Sequence, residues 1–421
     1  MVTVATPASG SRIWITVLVC ALGYFVDIYD LILFGIVRPN SLADLGLSGT
    51  ALQSASELIM MWQMFGMLLG GIIFGVLADK RGRLSILMAS ILLYSIMNIA
   101  NAFVTNVPMY AAFRFLSGIG LAGELGVAIT LVAEVMPKHS RGYGTTIVAA
   151  TGILGAVAAY FVNELFDWRA AFIAGGVLGF GLLVLRVRVH ESGMFKRMEG
   201  ATIERGNLLM VFKPHRLVLY ISSVAIGVPV WYVIGLLVFF SPELTTESGS
   251  TAKVVAGQAL MWAYVGLAAG DLTSGLLSQL IKSRKRTVLL FLVLTSVVSW
   301  WYLSSDGRSE AMTYLQCGVL GFAVGYWAVF VTTAAEQFGT NLRATVATTV
   351  PNFVRGALTP ALLVFGALRV GDIAGAEVLA PGRPLLGSAI IVGIATLLLA
   401  FIGWYLLKET YGKDLDYLEE P

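Results

Sequence analysis

Seven ionisable side chains of this 421-residue sequence sit inside stretches that are otherwise almost wholly apolar: Asp27, Asp30, Glu57, Arg114, Glu124, Asp271 and Arg355. A charge in such surroundings is costly unless a partner, water or ligand meets it, so each is a candidate for chemistry. Asp27 and Asp30, in the segment Asp27-Ile-Tyr-Asp30, are three residues apart, which places both on one side of a helix. Two carboxylates sharing a dry site repel one another, and a proton relieves that repulsion. The segment therefore suits reversible proton binding, with Asp30 placed slightly ahead of Asp27 and Glu124 as a further carboxylate of the same kind. Arg114 is suited to hold one of these carboxylates ionised when no proton is bound. Arg355 suits the opposite task, because a guanidinium keeps its charge and grips a carboxylate with two parallel hydrogen bonds. The competing reading of Arg355 is a permanent ion pair with Asp27, Asp30 or Asp271, and that of the two aspartates is local packing or a fixed arginine partner. Structural roles suit Glu57 and Asp271 better, Asp271 by pairing with a basic residue of a nearby loop.

The elements that must position these groups follow from composition. The chain is 57% hydrophobic and 13% charged, with mean hydropathy +0.82, against about one-quarter charged residues in soluble domains. Twelve apolar runs, from Trp14–Val37 to Leu385–Leu407, come near the roughly 20 residues that cross a hydrocarbon core as a helix. They are too long and too evenly apolar for barrel strands. The expectation is an all-α membrane protein of twelve transmembrane helices. The start of the chain lacks a clear signal-peptide cleavage region, so the first span is expected to be retained. If the N-terminus is cytoplasmic, 20 of the 28 lysines and arginines fall on that side, Arg186 among them, with Arg38 in an outer loop. Both termini are then cytoplasmic, and the net charge of +3 reflects topology rather than affinity for nucleic acid. Cys20 and Cys317 both lie within spans and imply no disulfide framework. No phosphate loop, metal cluster or catalytic triad is apparent, and His139, His190 and His215 fall in loops. Neither a cofactor nor an enzymatic reaction is expected.

The order of the elements carries a repeat. Glu134 precedes Arg141 by seven residues, and 202 residues further on Glu336 precedes Arg343 by the same interval. Such spacing points to two related halves: residues 1–187, a cytoplasmic linker at 188–214, and residues 215–421. Laid along the chain at offsets of 200 to 202, the repeat gives the interior charges no counterpart. Asp27 falls near Gly227, Glu57 on Gly257, Arg114 on Gln316, Glu124 on Tyr326, Asp271 on Gly71 and Arg355 on Ile153.

Gly75-Val-Leu-Ala-Asp79-Lys-Arg-Gly82-Arg83, between spans two and three, resembles the loop signature G-x-L-A-D-R/K-x-G-R/K of the major facilitator superfamily. Arg114-Phe-Leu-Ser-Gly118-Ile-Gly120-Leu-Ala-Gly123 is similar to that family's span-four signature. Glu191-Ser192 and Glu409-Thr410 stand where it carries P-E-S and P-E-T, each without the proline. In the second half the loop signature has decayed, with Gln279 in place of Asp79. The resemblance implies two six-helix bundles around a cavity that opens alternately to either side. It casts Asp79, Arg83, Glu134 and Arg141, with Glu336 and Arg343, as gating charges. The run Glu336-x-Phe-x-Thr-x-x-Arg343-x-Thr345 followed by Arg355-Gly-Ala-x-x-Pro360 looks like the organic-ion transporter branch, in which the position of Arg355 is arginine in anion carriers. Asp27-Ile-Tyr-Asp30 resembles the D-G-x-D motif of aromatic-acid and metabolite proton symporters, with Ile28 for the glycine. The substrate residues expected on this reading are Arg355, Arg114, Tyr24, Trp231, Tyr232 and Tyr326, Trp231 and Tyr232 lying at a point of span seven disturbed by Pro229. The function implied is proton-coupled import of a small organic anion by a monomer in a bacterial inner membrane. The alternative is a proton-antiporting exporter of an amphipathic or cationic compound.

Overall fold

A computed structural model describes residues 10–136, 141–186 and 208–413, and every regular element among these residues is a helix. Twelve helical stretches are long and apolar enough to cross a membrane: Ile13–Asp44, Ser54–Ala78, Leu84–Asn101, Val107–Val132, Tyr143–Leu165, Trp168–Arg186, Pro214–Val238, Ala256–Leu280, Arg284–Leu303, Glu310–Glu336, Asn341–Val370 and Pro384–Leu406, numbered here as spans 1 to 12. Their number matches that of the apolar runs. Span 1 runs further than hydropathy suggests: the helix continues through Arg38 and Pro39 to Asp44, which draws Arg38 out of the expected loop and into the protein.

The halves repeat one another in packing. Spans 2 and 4 lie together as do 8 and 10, spans 1 and 5 as do 7 and 11, and spans 3 and 6 as do 9 and 12. Gly66 and Gly266, 200 residues apart, show why the sequence permits this. A side chain at Gly66 would collide with the Phe115 carbonyl of span 4, and one at Gly266 with the Gly318 carbonyl of span 10. Without a hydrophobic drive between helices in lipid, such close backbone approach is what holds them.

Interruptions also recur in pairs. Span 4 breaks between Leu121 and Glu124, and span 10 between Ala323 and Trp327. Span 5 breaks between Ile153 and Gly155, and span 11 between Gly356 and Leu358. Span 7 carries Pro229 and then loosens into a π-helical turn at Val233–Val238, the kind of irregularity that gathers at functional sites. Backbone breaks at membrane depth are tolerated where they are buried or line a cavity. Here they surround the seam between the halves.

Candidate functional site

A cavity enclosing about 300 Å³ lies on that seam. Span 1 supplies Tyr24 and Ile28, span 5 supplies Ile153, span 7 supplies Val230, Trp231 and Ile234, and span 8 supplies Tyr264 and Leu267. Trp327 of span 10 and Arg355 of span 11 complete the lining. Arg355 is 1% exposed and is its only charged member. Two neighbours fix it: Asn352, one turn earlier, accepts from Nη1 at 3.2 Å, and the Trp327 ring lies 5.5 Å from the guanidinium carbon. Its Nε has no hydrogen-bond partner among the described residues. Trp327 opens the second helix of span 10, and Asp271 of span 8 accepts the Ala328 backbone N–H at 3.0 Å. The carboxylate thus satisfies a helix start that its own chain leaves uncapped. Asp271 serves in this way rather than by pairing with a basic loop residue.

The two span-1 aspartates part company. Asp30 accepts from Arg114 Nη2 at 2.8 Å and from the Ser117 hydroxyl at 2.7 Å. Arg114 is further bound by Asn98 at 2.9 Å and faces the Phe172 ring. Asp27, also fully buried, has no hydrogen-bond partner on either carboxylate oxygen among the described residues. The cation that acts on it most strongly is Arg355, in the other half. Asp30 is thus engaged by fixed partners, whereas Asp27 has none among the described residues. Glu124, at the start of the second helix of span 4, is held by both terminal nitrogens of Arg186, the last residue of span 6. Arg186 is 1% exposed and does not belong to the solvated linker. At the end of an apolar run, an inward-facing arginine has the same sequence signal as a topological one.

Of the six residues expected to contact substrate, Arg355, Tyr24 and Trp231 meet around the cavity. The other three are turned elsewhere. Arg114 is consumed by Asp30. Tyr232 donates to the Ala389 carbonyl of span 12 at 2.9 Å, and Tyr326 to the Ile226 carbonyl of span 7 at 2.8 Å. Sequence reasoning offers Trp327 only as one of several aromatic residues that could line a cavity, and it misses Tyr264. Their sequence signal, an aromatic ring at membrane depth, is shared with rings that pack or face lipid.

The halves touch above and below the cavity. At the end nearer the inter-half linker, Asn352 of span 11 donates to the Ala122 carbonyl at the break in span 4 at 2.8 Å, and Thr345 approaches the Gly75 carbonyl at 3.5 Å. At the distal end, Arg38 meets Glu243 at 3.3 Å and Glu57 meets Arg369 at 3.3 Å, each pair crossing from one half to the other. Both ends of the cavity are thus closed.

The family model described as Major Facilitator Superfamily matches residues 20–358. The chain belongs to the major facilitator superfamily. It is a transporter and a multi-pass membrane protein, not an enzyme. Its relatives include the niacin transporter NiaP of Acinetobacter baylyi, 26% identical over 77% of this chain and 80% of that one. Another is the 4-hydroxybenzoate transporter PcaK of Pseudomonas aeruginosa, 32% identical over 46% of this chain and 43% of that protein. Among solved structures, a double-tryptophan variant of XylE superposes with a TM-score of 0.74, and the inward open xylose transporter XylE from E. coli with 0.66. Each is 18% identical, and in each case 96% of this chain and 98% of the other are covered, a likeness that speaks for the fold alone.

The charges expected to gate divide between those whose side chains are described and those whose side chains are not. The side chains of Asp79, Arg83, Glu134 and Arg141 lie outside the described residues. In the second half Glu336 reaches the start of span 9 and the segment after span 12. It meets Arg284 at 3.5 Å and accepts from the Thr410 hydroxyl at 2.8 Å, while Arg343 lies near the Phe338 carbonyl at 3.5 Å. Arg284 stands 201 residues after Arg83, so the acid of the repeat reaches the loop signature. Glu336, Arg284 and Thr410 all belong to the second half.

Proposed function

We propose that this transporter imports a small organic carboxylate together with a proton by alternating access. Residues 1–187 and 215–421 would move as the two bodies, with the linker 188–214 and both termini on the cytoplasmic side of a bacterial inner membrane. The observation that carries this reading is that, among the described residues, Arg355 on the cavity wall keeps an Nε without a hydrogen-bond partner while the buried Asp27 of the other half has none on either carboxylate oxygen. When the cavity is empty their charges cancel. Binding an anion to Arg355 adds one negative charge in a place where unpaired charge is expensive, and a proton on Asp27 removes it. Anion and proton therefore favour one another's binding, and a 1:1 stoichiometry follows. The rings of Tyr24, Trp231, Tyr264 and Trp327 offer an apolar, stacking enclosure for the body of the acid. Relatives named for niacin and 4-hydroxybenzoate support the substrate class. The exporter reading weakens because Asp30, Glu124 and Glu57 are each matched with an arginine, which leaves fewer free acids to hold a cation. Each chain encloses its own cavity, as a monomeric transporter requires.

The test is uptake of labelled niacin or 4-hydroxybenzoate into proteoliposomes. Accumulation is expected to follow an imposed inward proton gradient and to collapse when the gradient is dissipated. Uptake indifferent to the gradient would remove proton coupling from the reading.

A further inference from the structure

Behind Trp231 and Ile234, toward the distal end, lies a second, narrow apolar pocket. Leu31, Ile32, Met60, Phe239 and Leu260 form most of the rest of its wall, and no charged residue lines it. Trp231 and Ile234 belong to both cavities, so the two stand in series with a partition supplied by the irregular stretch of span 7. On the ring of Phe239 rests Arg38, its guanidinium carbon 4.1 Å from the ring centroid, with Phe240 at 5.6 Å. Arg38 is 3% exposed.

The hydrogen bonding of this arginine is incomplete. Only Nη2 is engaged, by the Phe239 carbonyl at 3.1 Å and by one oxygen of Glu243 at 3.3 Å. Nε and Nη1 have no partner among the described residues, nor has the second oxygen of Glu243. A charge-assisted pair of good geometry closes to about 2.7–2.9 Å, often with two bonds, as Arg114 and Asp30 do at 2.8 Å. Arg38 and Glu243 are held by a single, longer contact. Glu243 is 25% exposed, so the pair is reached from the distal face. Glu57, itself bound to Arg369, is the other acid acting on Arg38. A buried arginine with unused donors beside an apolar pocket repeats the chemistry of Arg355 beside its aromatic one.

We propose that Arg38 is an outer anion site, at which an organic carboxylate arriving from the distal face displaces Glu243 and rests its apolar body against Phe239 before passing Trp231 and Ile234 to reach Arg355. The proposal rests on the carboxylate-import reading above. Displacing Glu243 also severs one of the two ion pairs that close the distal end, so arrival of the anion loosens the gate it must pass.

Right-side-out and inside-out membrane vesicles separate the two faces, with labelled niacin and 4-hydroxybenzoate as probes. For whichever acid the wild type carries, Arg38→Gln is expected to raise the half-saturating concentration at the distal face about tenfold, the equivalent of one lost charge-assisted contact. The value at the linker face should stay within about twofold. Glu243→Gln, which removes the competitor, is expected to lower the distal value. A latch without anion binding predicts that both variants move the same way, since either breaks the same pair, and that result overturns the outer site. Equal changes at both faces overturn it too. Should Arg38→Gln fail to reach the membrane, the sign of the Glu243→Gln effect at the more exposed partner decides alone. If the wild type carries neither acid, the import reading falls and this proposal with it. If it carries one and Arg355→Gln abolishes transport while Arg38→Gln and Glu243→Gln are silent, only the outer site falls.

Discussion

Ile153 and Arg355 hold the same place in the two halves, 202 residues apart, each at the break of its span and each on the wall of the central cavity. One is aliphatic and the other cationic. The same contrast runs through each half as a whole. The first half neutralises its charges internally, Asp30 with Arg114 and Glu124 with Arg186, and leaves over a single carboxylate, Asp27. The second presents a single cation to the cavity, while its buried Asp271 accepts a helix-start N–H through one carboxylate oxygen. Asp27 of the first half and Arg355 of the second are each without an ion pair inside their own half among the described residues. The two lie in different halves, so a movement that opens the seam changes their separation.

The strongest way to break this contrast is to move the arginine. Arg355→Gln removes the one cation of the cavity, and truncating one member of a buried charge pair costs about 2–5 kcal/mol. Uptake efficiency should drop by roughly 30-fold to more than 1,000-fold. Exchanging the twins, Ile153→Arg with Arg355→Ile, should not restore it, because Asn352 and Trp327 hold a guanidinium only on the span-11 side. Recovery of uptake in the exchanged protein would show that any cation at the seam suffices and that the asymmetry has no geometric content.

The next contrast lies within span 1. Asp27 and Asp30 are three residues apart yet differ in partners, so their asparagine variants should differ in kind. Asp27→Asn is expected to keep counterflow of substrate while losing accumulation driven by the proton gradient, with thermal stability unchanged or raised because an unsatisfied buried carboxylate is gone. Asp30→Asn strips the buried Arg114 of its counter-charge and is expected to cost about 3–5 kcal/mol of stability. Replacing Arg114 by glutamine as well should return part of that loss. Melting of the purified protein in detergent, read beside the two transport assays, tells the variants apart; matching profiles for Asp27→Asn and Asp30→Asn would dissolve the distinction between them.

Much of this arrangement is legible in the sequence. Twelve apolar runs fix the spans, and the 202-residue repeat separates shared framework from unmatched charge. The repeat leaves Asp27, Glu57, Arg114, Glu124, Asp271 and Arg355 without a twin, and a charge without a twin at membrane depth needs a special reason. It could not tell Asp27 from Asp30, since which carboxylate finds an arginine depends on how spans 1 and 4 cross, and neither composition nor spacing records a crossing. Arg38 and Arg186 were misplaced for a related reason. Near the end of a hydrophobic run an arginine that turns inward and one that faces water look alike, and only the partner, Glu243 or Glu124, decides. Tyr232 and Tyr326 have the same chemistry as Tyr24, but their hydroxyls find backbone carbonyls that a sequence does not place.

The smallest effect concerns the end of the chain. Glu409, beyond span 12, accepts the backbone N–H groups of Arg284 at 2.9 Å and Lys285 at 3.2 Å and the hydroxyl of Ser283, and so caps the start of span 9 from outside. Thr410 and Tyr411 add their own N–H groups at 2.9 Å. Partial burial opposes ionisation of this carboxyl, but the Ser283 hydroxyl and the backbone donors outweigh it and hold the group below the usual glutamate range. A carboxyl depressed in the folded state stabilises the fold above its unfolded pKa of about 4.3, and that contribution is lost as pH falls through the lower, folded value. Wild-type melting should therefore fall more steeply on acidification below about pH 4.3 than that of Glu409→Gln. At pH 7 the variant should melt lower by something of the order of 1–2 °C, given solvent screening and the size of the chain. Parallel acid profiles would leave the cap no electrostatic part. The motif counterpart in the first half, Glu191, lies outside the described residues. The same substitution there extends the comparison: an equal shift carries the symmetry of the halves out to their linker-side ends, and no shift confines this cap to the second half.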